Sequence, residues 1–376
     1  MRHLALALTL ACLTFACSSD DSDDGGAVAD TSVDAAGADA GGSDTSGESD
    51  TGSGPAIGED TRVYPFESAH VFFSGWDEGQ NARELRSTVT LPPLEESYAS
   101  VRLNFALSCP DGRCDPWDRL GSIGIVIGEG DDEQYVELSR FITPYGVGAT
   151  WSVDVTDLRP LLAGDVTFRV FIDTWVGPGG PYGNGWSVDA GLEFEGGIPE
   201  RRAIAAVPVI GMRGLVYGDP ARPITDQLAA FDVAVPEGAS SLALRTFITG
   251  HGQGNAENCA EFCPRDHTFT LDGVETTAEV WRDDCETTAP SDQQGTWQYP
   301  RAGWCPGTES HAWTMDVAVP DDGLLTVGYD VETYENTCRP DAPECAGCTL
   351  GNGCEWNDSN HTEPRYEVSA VLIAFE

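Results

Sequence analysis

Short apolar runs in which polar or small residues alternate with large ones recur along most of this chain, separated by Gly, Pro and Asp. Val101-Arg-Leu-Asn-Phe-Ala-Leu107, Gly121-Ser-Ile-Gly-Ile-Val-Ile127, Val166-Thr-Phe-Arg-Val-Phe-Ile172 and Val368-Ser-Ala-Val-Leu-Ile373 are examples. A period of two puts successive side chains on opposite faces of a strand, and no long stretch has helical spacing. The pattern predicts an all-β chain built from antiparallel β-sandwiches.

The runs fall into two sets that follow one plan. "WSVDV" at Trp151–Val155 is followed by a Leu-Leu pair and then by a run ending Asp173-Thr174-Trp175. "WTMDV" at Trp313–Val317 is followed by Leu324-Leu325 and a run ending Glu332-Thr333-Tyr334. Upstream, "SVRLNFALSC" from Ser100 and "SLALRTFITG" from Ser241 each lead into an acidic loop bracketed by cysteines. Two sandwiches of similar topology are expected, over residues 62–202 and 203–376.

Composition narrows the chemistry. All 20 basic residues are arginine, so lysine nucleophiles and Schiff bases are excluded. A formal charge of −42 argues against nucleic acid and anionic membrane surfaces as partners, because both need clustered cations. Residues 1–17, "MRHLALALTLACLTFAC", read as an export signal in lipoprotein form with Cys17 (or Cys12) as the lipidated residue; plain secretion is the other reading. Residues 18–61 form an Asp/Gly/Ser/Ala-rich linker, with twelve acidic and no basic residues from Ser18 to Asp60, and are expected to stay disordered. An exported protein, on the cell surface or secreted, follows from these features.

Ten cysteines remain after Cys12 and Cys17, an even number that favours disulfides in this compartment. Close spacing suggests Cys109–Cys114 and Cys259–Cys263, with Cys285–Cys305 as a longer bridge. Cys338, Cys345, Cys348 and Cys354 lie in an insertion over 338–356 with three possible pairings, and disulfides are favoured there over a zinc site. His70, His251, His267, His311 and His361 are scattered without paired spacing, which disfavours a multi-histidine metal centre.

Carboxylates beside aromatics are the remaining signal: Trp117-Asp118-Arg119, Asp173-Thr174-Trp175, Glu261-Phe262 and "RAGWCPG" at Arg301–Gly307. Aromatic faces stack on sugar rings, while Asp, Glu and Arg grip hydroxyls; each cluster taken singly is equally a turn packed on a core tryptophan.

The runs "CPDGRCDPWDR" (109–119), "RFITPY" (140–145), "DVTDLRPLLAG", "DTW", "WSVD", "VPVI", "CAEFC" and "RAGWCPG" occur in one order from Val63 to Phe375. In these runs the chain resembles the bacterial peptide-N-glycosidase F family. The resemblance implies two eight-stranded jelly-roll sandwiches side by side, with the active site where they meet. It also implies an amidase that hydrolyses the bond between GlcNAc and asparagine in N-glycoproteins or glycopeptides, recognising the chitobiose core, as a monomer without metal or cofactor. By that resemblance Asp118 and Glu261 are catalytic and hold a water, and Asp173 stands where the family has a catalytic-site glutamate. Trp117, Arg119, Tyr145, Trp175, Arg301 and Trp304 would bind substrate, with Arg301 donating to the developing oxyanion. Phe262 and Gly146 replace tryptophans. The alternative is a glycan-binding surface protein of the same fold that has lost catalysis, which the Asp173 replacement favours.

Overall fold

The computed structural model describes residues 55–74, 80–252, 259–336 and 363–376. The expected signal, most of the expected linker, Cys338 to Cys354 and His361 lie outside the described residues. In the first half, eight strands carry the fold: β1 (Thr61–Phe73), β2 (Glu84–Leu91), β3 (Glu96–Ser108), β4 (Leu120–Ile127), β5 (Gln134–Ile142), β6 (Ala149–Asp154), β7 (Gly164–Ile172) and β8 (Trp186–Gly196). Eight more follow: β9 (Ala203–Val216), β10 (Phe231–Ala234), β11 (Ser241–His251), β12 (Asp266–Leu271), β13 (Val274–Glu279), β14 (Trp313–Val317), β15 (Leu324–Val331) and β16 (Arg365–Phe375).

The sheets of the first half run β1-β8-β3-β6 and β2-β7-β4-β5; those of the second run β9-β16-β11-β14 and β10-β15-β12-β13. Counted within its own half, each sheet pair has the order first-eighth-third-sixth and second-seventh-fourth-fifth. The two halves therefore share one jelly-roll connectivity, and the sequence parallels between "SVRLNFALSC" and "SLALRTFITG", and between "WSVDV" and "WTMDV", fall on equivalent strands. Pairing among the sixteen strands is antiparallel throughout.

Order begins earlier than the linker boundary at residue 61 expected from composition. The start of β3 extends beyond the pairing of β6, which reaches only Arg102, and this leaves open backbone groups. Ala56–Ile57 fills them as a parallel partner of Glu96 and Ser97, and the Asp60 carboxylate accepts from Gly196 N–H at 2.8 Å. A polar segment is thus captured by an unpaired edge.

Strand β16 joins the halves, because every residue from Tyr366 to Phe375 is buried. Val368, Ala370, Leu372 and Ala374 enter the core of the second half, whereas Val371, Ile373 and Phe375 pack into that of the first. The period of two that normally separates core from solvent here separates two cores. At the polar end of this seam the fully buried Arg140 of β5 meets both carboxylate oxygens of Glu137 and also donates to Thr249 Oγ1 (3.2 Å), Glu367 O (2.6 Å) and Ser369 Oγ (3.3 Å).

Removing one member of a buried, hydrogen-bonded ion pair strands the other. Arg140→Ala is expected to lower stability by roughly 3–5 kcal/mol in chemical denaturation. A loss below about 1 kcal/mol, typical of an exposed pair, would mean that apolar packing alone joins the halves.

Candidate active site

The loop from Cys109 to Arg119 connects β3 to β4, and the Cys109–Cys114 bridge pins its first part. Beyond the bridge, Asp115 organises the turn from a fully buried position. One carboxylate oxygen accepts from Trp117 N–H (3.0 Å); the other accepts from Arg119 Nε (2.9 Å) and Thr174 Oγ1 (2.7 Å). Thr143, also buried, clamps the residues on both sides of Asp118: its hydroxyl accepts from Arg119 N–H (2.8 Å) and donates to Trp117 O (3.0 Å). The Asp118 side chain is left facing the site, where Tyr145 donates its hydroxyl to Oδ2 at 2.6 Å.

Tyr145 is held in turn by the second half. Its backbone N–H donates to Gln293 Oε1 (3.0 Å), and its ring lies so close over Gly295 that a Cβ there would meet ring carbons at 2.9 Å. From that half Glu261 enters on the Cys259–Cys263 loop, with its N–H on Gly252 O (3.0 Å) and its carbonyl on Ala302 N–H (2.9 Å).

Arg301 lies beneath all of these. Its Nη1 donates to Tyr299 O (2.8 Å), its Nη2 to Thr296 Oγ1 (3.0 Å) and more weakly to the Tyr145 hydroxyl (3.5 Å), and its Nε is 3.5 Å from Glu261 Oε1. The phenyl of Phe262 and the indole of Trp304 flank the guanidinium at 5.2 and 4.8 Å. Arg301 and Trp304, expected to bind substrate, both lie buried beneath the site. Arg301 is 0% exposed and Trp304 is 2% exposed, with its indole N–H given to Gly250 O at 2.8 Å. Both support the loops that bring in Glu261 and Tyr145.

Electrostatics couple the two central carboxyls. Burial, reinforced by the negative charge of Asp118, pushes Glu261 up to about 8, although Arg301 opposes the shift. Burial raises Asp118 as well, but the Tyr145 hydrogen bond and the Arg301 charge pull against it. The two carboxyls thus compete for ionisation at one buried site, and Arg301 favours the charged form of each.

The remaining expected residues gather at the rim. Burial raises the Asp173 carboxyl while Arg83 opposes the rise, and Arg83 Nη1 lies 3.1 Å from Asp173 Oδ1. The same guanidinium stacks on Trp175 at 4.3 Å and faces Phe73 at 5.2 Å. Arg119 turns to Asp115, with its guanidinium 5.2 Å from the Trp117 ring. Asp115, Thr143, Arg83 and Thr296 were not anticipated. Only Asp115 carried a local signal, since an Asp before Pro whose side chain takes the N–H two residues on is a common turn device. Among the described residues, the one cluster of possible metal donors is Asp284, Cys285 and Cys305, whose sulfurs are joined in a disulfide.

Two family profiles match the chain: "Peptide-N-glycosidase F, N terminal" over residues 123–180 and "Peptide-N-glycosidase F, C terminal" over 221–343. The peptide-N(4)-(N-acetyl-beta-D-glucosaminyl)asparagine amidase F of Elizabethkingia miricola is 29% identical over 243 residues, covering 60% of this chain and 65% of that relative. The solved structure of PNGase F, a glycosylasparaginase from Flavobacterium meningosepticum, superposes with a TM-score of 0.68 at 22% identity, over 85% of this chain and 96% of that one. That of PNGF-II gives 0.60 at 18% identity, over 85% and 65%. The structural likeness establishes the fold.

Asp115→Asn keeps the shape of the turn and removes the charge that meets Arg119. It is expected to cost on the order of 2 kcal/mol and to speed hydrogen exchange at the Trp117 amide. Unchanged exchange there would mean that Thr143 alone holds the loop.

Proposed function

Since the chain belongs to the peptide-N-glycosidase F family, we propose that it is an amidase that hydrolyses the side-chain amide joining GlcNAc to asparagine in N-glycoproteins or glycopeptides. The observation that carries this reading is the meeting of Asp118 and Glu261, one from each half, around a single buried arginine. Glu261 lies within the Cys259–Cys263 loop and Asp118 just beyond the Cys109–Cys114 bridge, so both are held in place before substrate arrives.

In the proposed reaction Asp118 takes a proton from a water, and the oxygen adds to the amide carbon. Glu261, protonated, donates first to the carbonyl oxygen as it gains charge; the carbon–nitrogen bond then breaks, with a proton passing to the departing nitrogen. Aspartate and a glycosylamine result. Arg301 acts from below by stabilising the Asp118 anion and aligning Tyr145 and Glu261. Asp173, Trp175, Trp117 and Arg119 would receive the sugars.

The decisive experiment incubates the protein with a denatured N-glycoprotein and seeks, by mass spectrometry, released glycan together with conversion of the glycosylated asparagine to aspartate. Glycan binding without that conversion would leave only a sugar-binding protein. Asp118→Asn is expected to lower turnover by roughly two to four orders of magnitude while folding is retained.

The proton on Glu261 gives a second forecast. A group raised to about 8 is protonated below that pH and loses its proton above it, so turnover should fall on the alkaline side with a midpoint near 8. Glu261→Gln should have low turnover with no such limb, because its amide cannot titrate. An alkaline limb that survives the substitution would assign the titration to another group.

A further inference from the structure

Between Trp175 and β8 the chain runs Val-Gly-Pro-Gly-Gly-Pro-Tyr-Gly-Asn-Gly, a stretch assigned neither to a strand nor to the carboxylate cluster. It is nevertheless tightly placed. Arg113 Nη2 donates to Gly180 O (3.0 Å), Asn184 N–H to Arg113 O (2.9 Å), Asn184 Nδ2 to Pro110 O (3.1 Å) and Asp115 N–H to Gly185 O (3.2 Å). A Cβ on Gly183 would meet Cys114 O at 2.2 Å, so only glycine permits this approach. The loop is zipped to the disulfide loop that carries Asp118.

At its tip stands Tyr182, 64% exposed, edge-to-face with the 40% exposed Trp117 at a centroid distance of 5.3 Å. Single exposed aromatics are ordinary on protein surfaces, but two held together on immobilised loops beside a reactive cluster point to a ligand. Polar groups border the rings. Among the described residues the Tyr182 hydroxyl has no protein partner, and Arg119, whose Nε is taken by Asp115, has no partner for its terminal nitrogens. Apolar faces edged by unused donors and acceptors match a pyranose, whose C–H faces stack while its hydroxyls bond outward. An apolar peptide side chain would satisfy the rings and strand the polar groups.

We infer that Tyr182 and Trp117 form an outer sugar subsite that takes a ring of the glycan beyond the reducing-end GlcNAc pair, so that Tyr182 sets glycan preference. This inference rests on the amidase reading for its biological use, although the subsite can be tested without turnover.

The test titrates wild type, Tyr182→Ala and Tyr182→Phe with a free branched N-glycan and with N,N′-diacetylchitobiose, following tryptophan fluorescence. Tyr182→Ala should weaken the branched glycan by about tenfold relative to chitobiose, the size of one aromatic contact, and Tyr182→Phe should fall between. Equal effects on both sugars, or no effect, overturn the subsite. If Tyr182→Ala instead changes KM according to aromatic residues flanking asparagine in a glycopeptide, the platform serves peptide and the sugar assignment fails. Selective glycan binding without any asparagine conversion would overturn the amidase reading and leave the subsite standing. Conversion that is indifferent to Tyr182 does the reverse.

Discussion

A single guanidinium, that of Arg140, carries the geometry of this molecule. It lies at the seam between two jelly rolls, pairs with Glu137 on its own strand and reaches two carbonyls and two hydroxyls of the other half. Both sides of the site descend from those contacts. Three and five residues beyond Arg140 come Thr143, which clamps the backbone on either side of Asp118, and Tyr145, which bonds its carboxylate. Strand β11, gripped at Phe247 and Thr249, continues to Gly250 and Gly252, whose carbonyls hold Trp304 and the Glu261 backbone. Taking a charge this deep is costly unless every donor is met, and meeting them across a domain seam converts that cost into a fixed register.

The second constraint is electrostatic. Two carboxyls sharing a buried site cannot both ionise cheaply, and one nearby arginine favours the charged form of each. Arg301 approaches Asp118 through the Tyr145 hydroxyl but leaves its Nε 3.5 Å from Glu261 without a good hydrogen bond. Burial raises both carboxyls, and Arg301 opposes the rise in each. A buried arginine with an unsatisfied nitrogen lowers stability, and such local costs concentrate where a site has been arranged for chemistry rather than for packing.

Much of this was legible from residue order. Alternation revealed the strands because each sheet has one face on a core, and the duplicated runs revealed two like halves because equivalent strands need like patterns. The ordered cysteine loops pointed to Asp118 and Glu261. Burial of Arg301 and Trp304 was not legible, since what covers them comes from loops up to about 150 residues away, around Tyr145 and Glu261. Strand β16 read as apolar without revealing that it serves two cores. Arg83 left no trace because its partners, Phe73, Asp173 and Trp175, are brought beside it only by the pairing of β2 with β7 and of β1 with the short strand Asn81–Ala82.

Asp173, which the resemblance sets where the family has a glutamate, is anchored by residues distant in sequence. A side chain one methylene shorter than glutamate could be met by an inward backbone shift, yet its N–H keeps a regular bond to Leu120 O at 2.9 Å. The shorter carboxylate is instead anchored sideways by Arg83, itself stacked on Trp175. With the Asp173 side chain 42% exposed, this pair is weakly stabilising and open to competition by hydroxyls. The rim is thus held by contacts that solvent can replace at small cost, whereas the floor, built on Arg301 and Arg140, has no such freedom. Substitution at Arg83 or Asp173 therefore alters the rim, while Asp118 and Glu261 stay where the seam between the halves holds them.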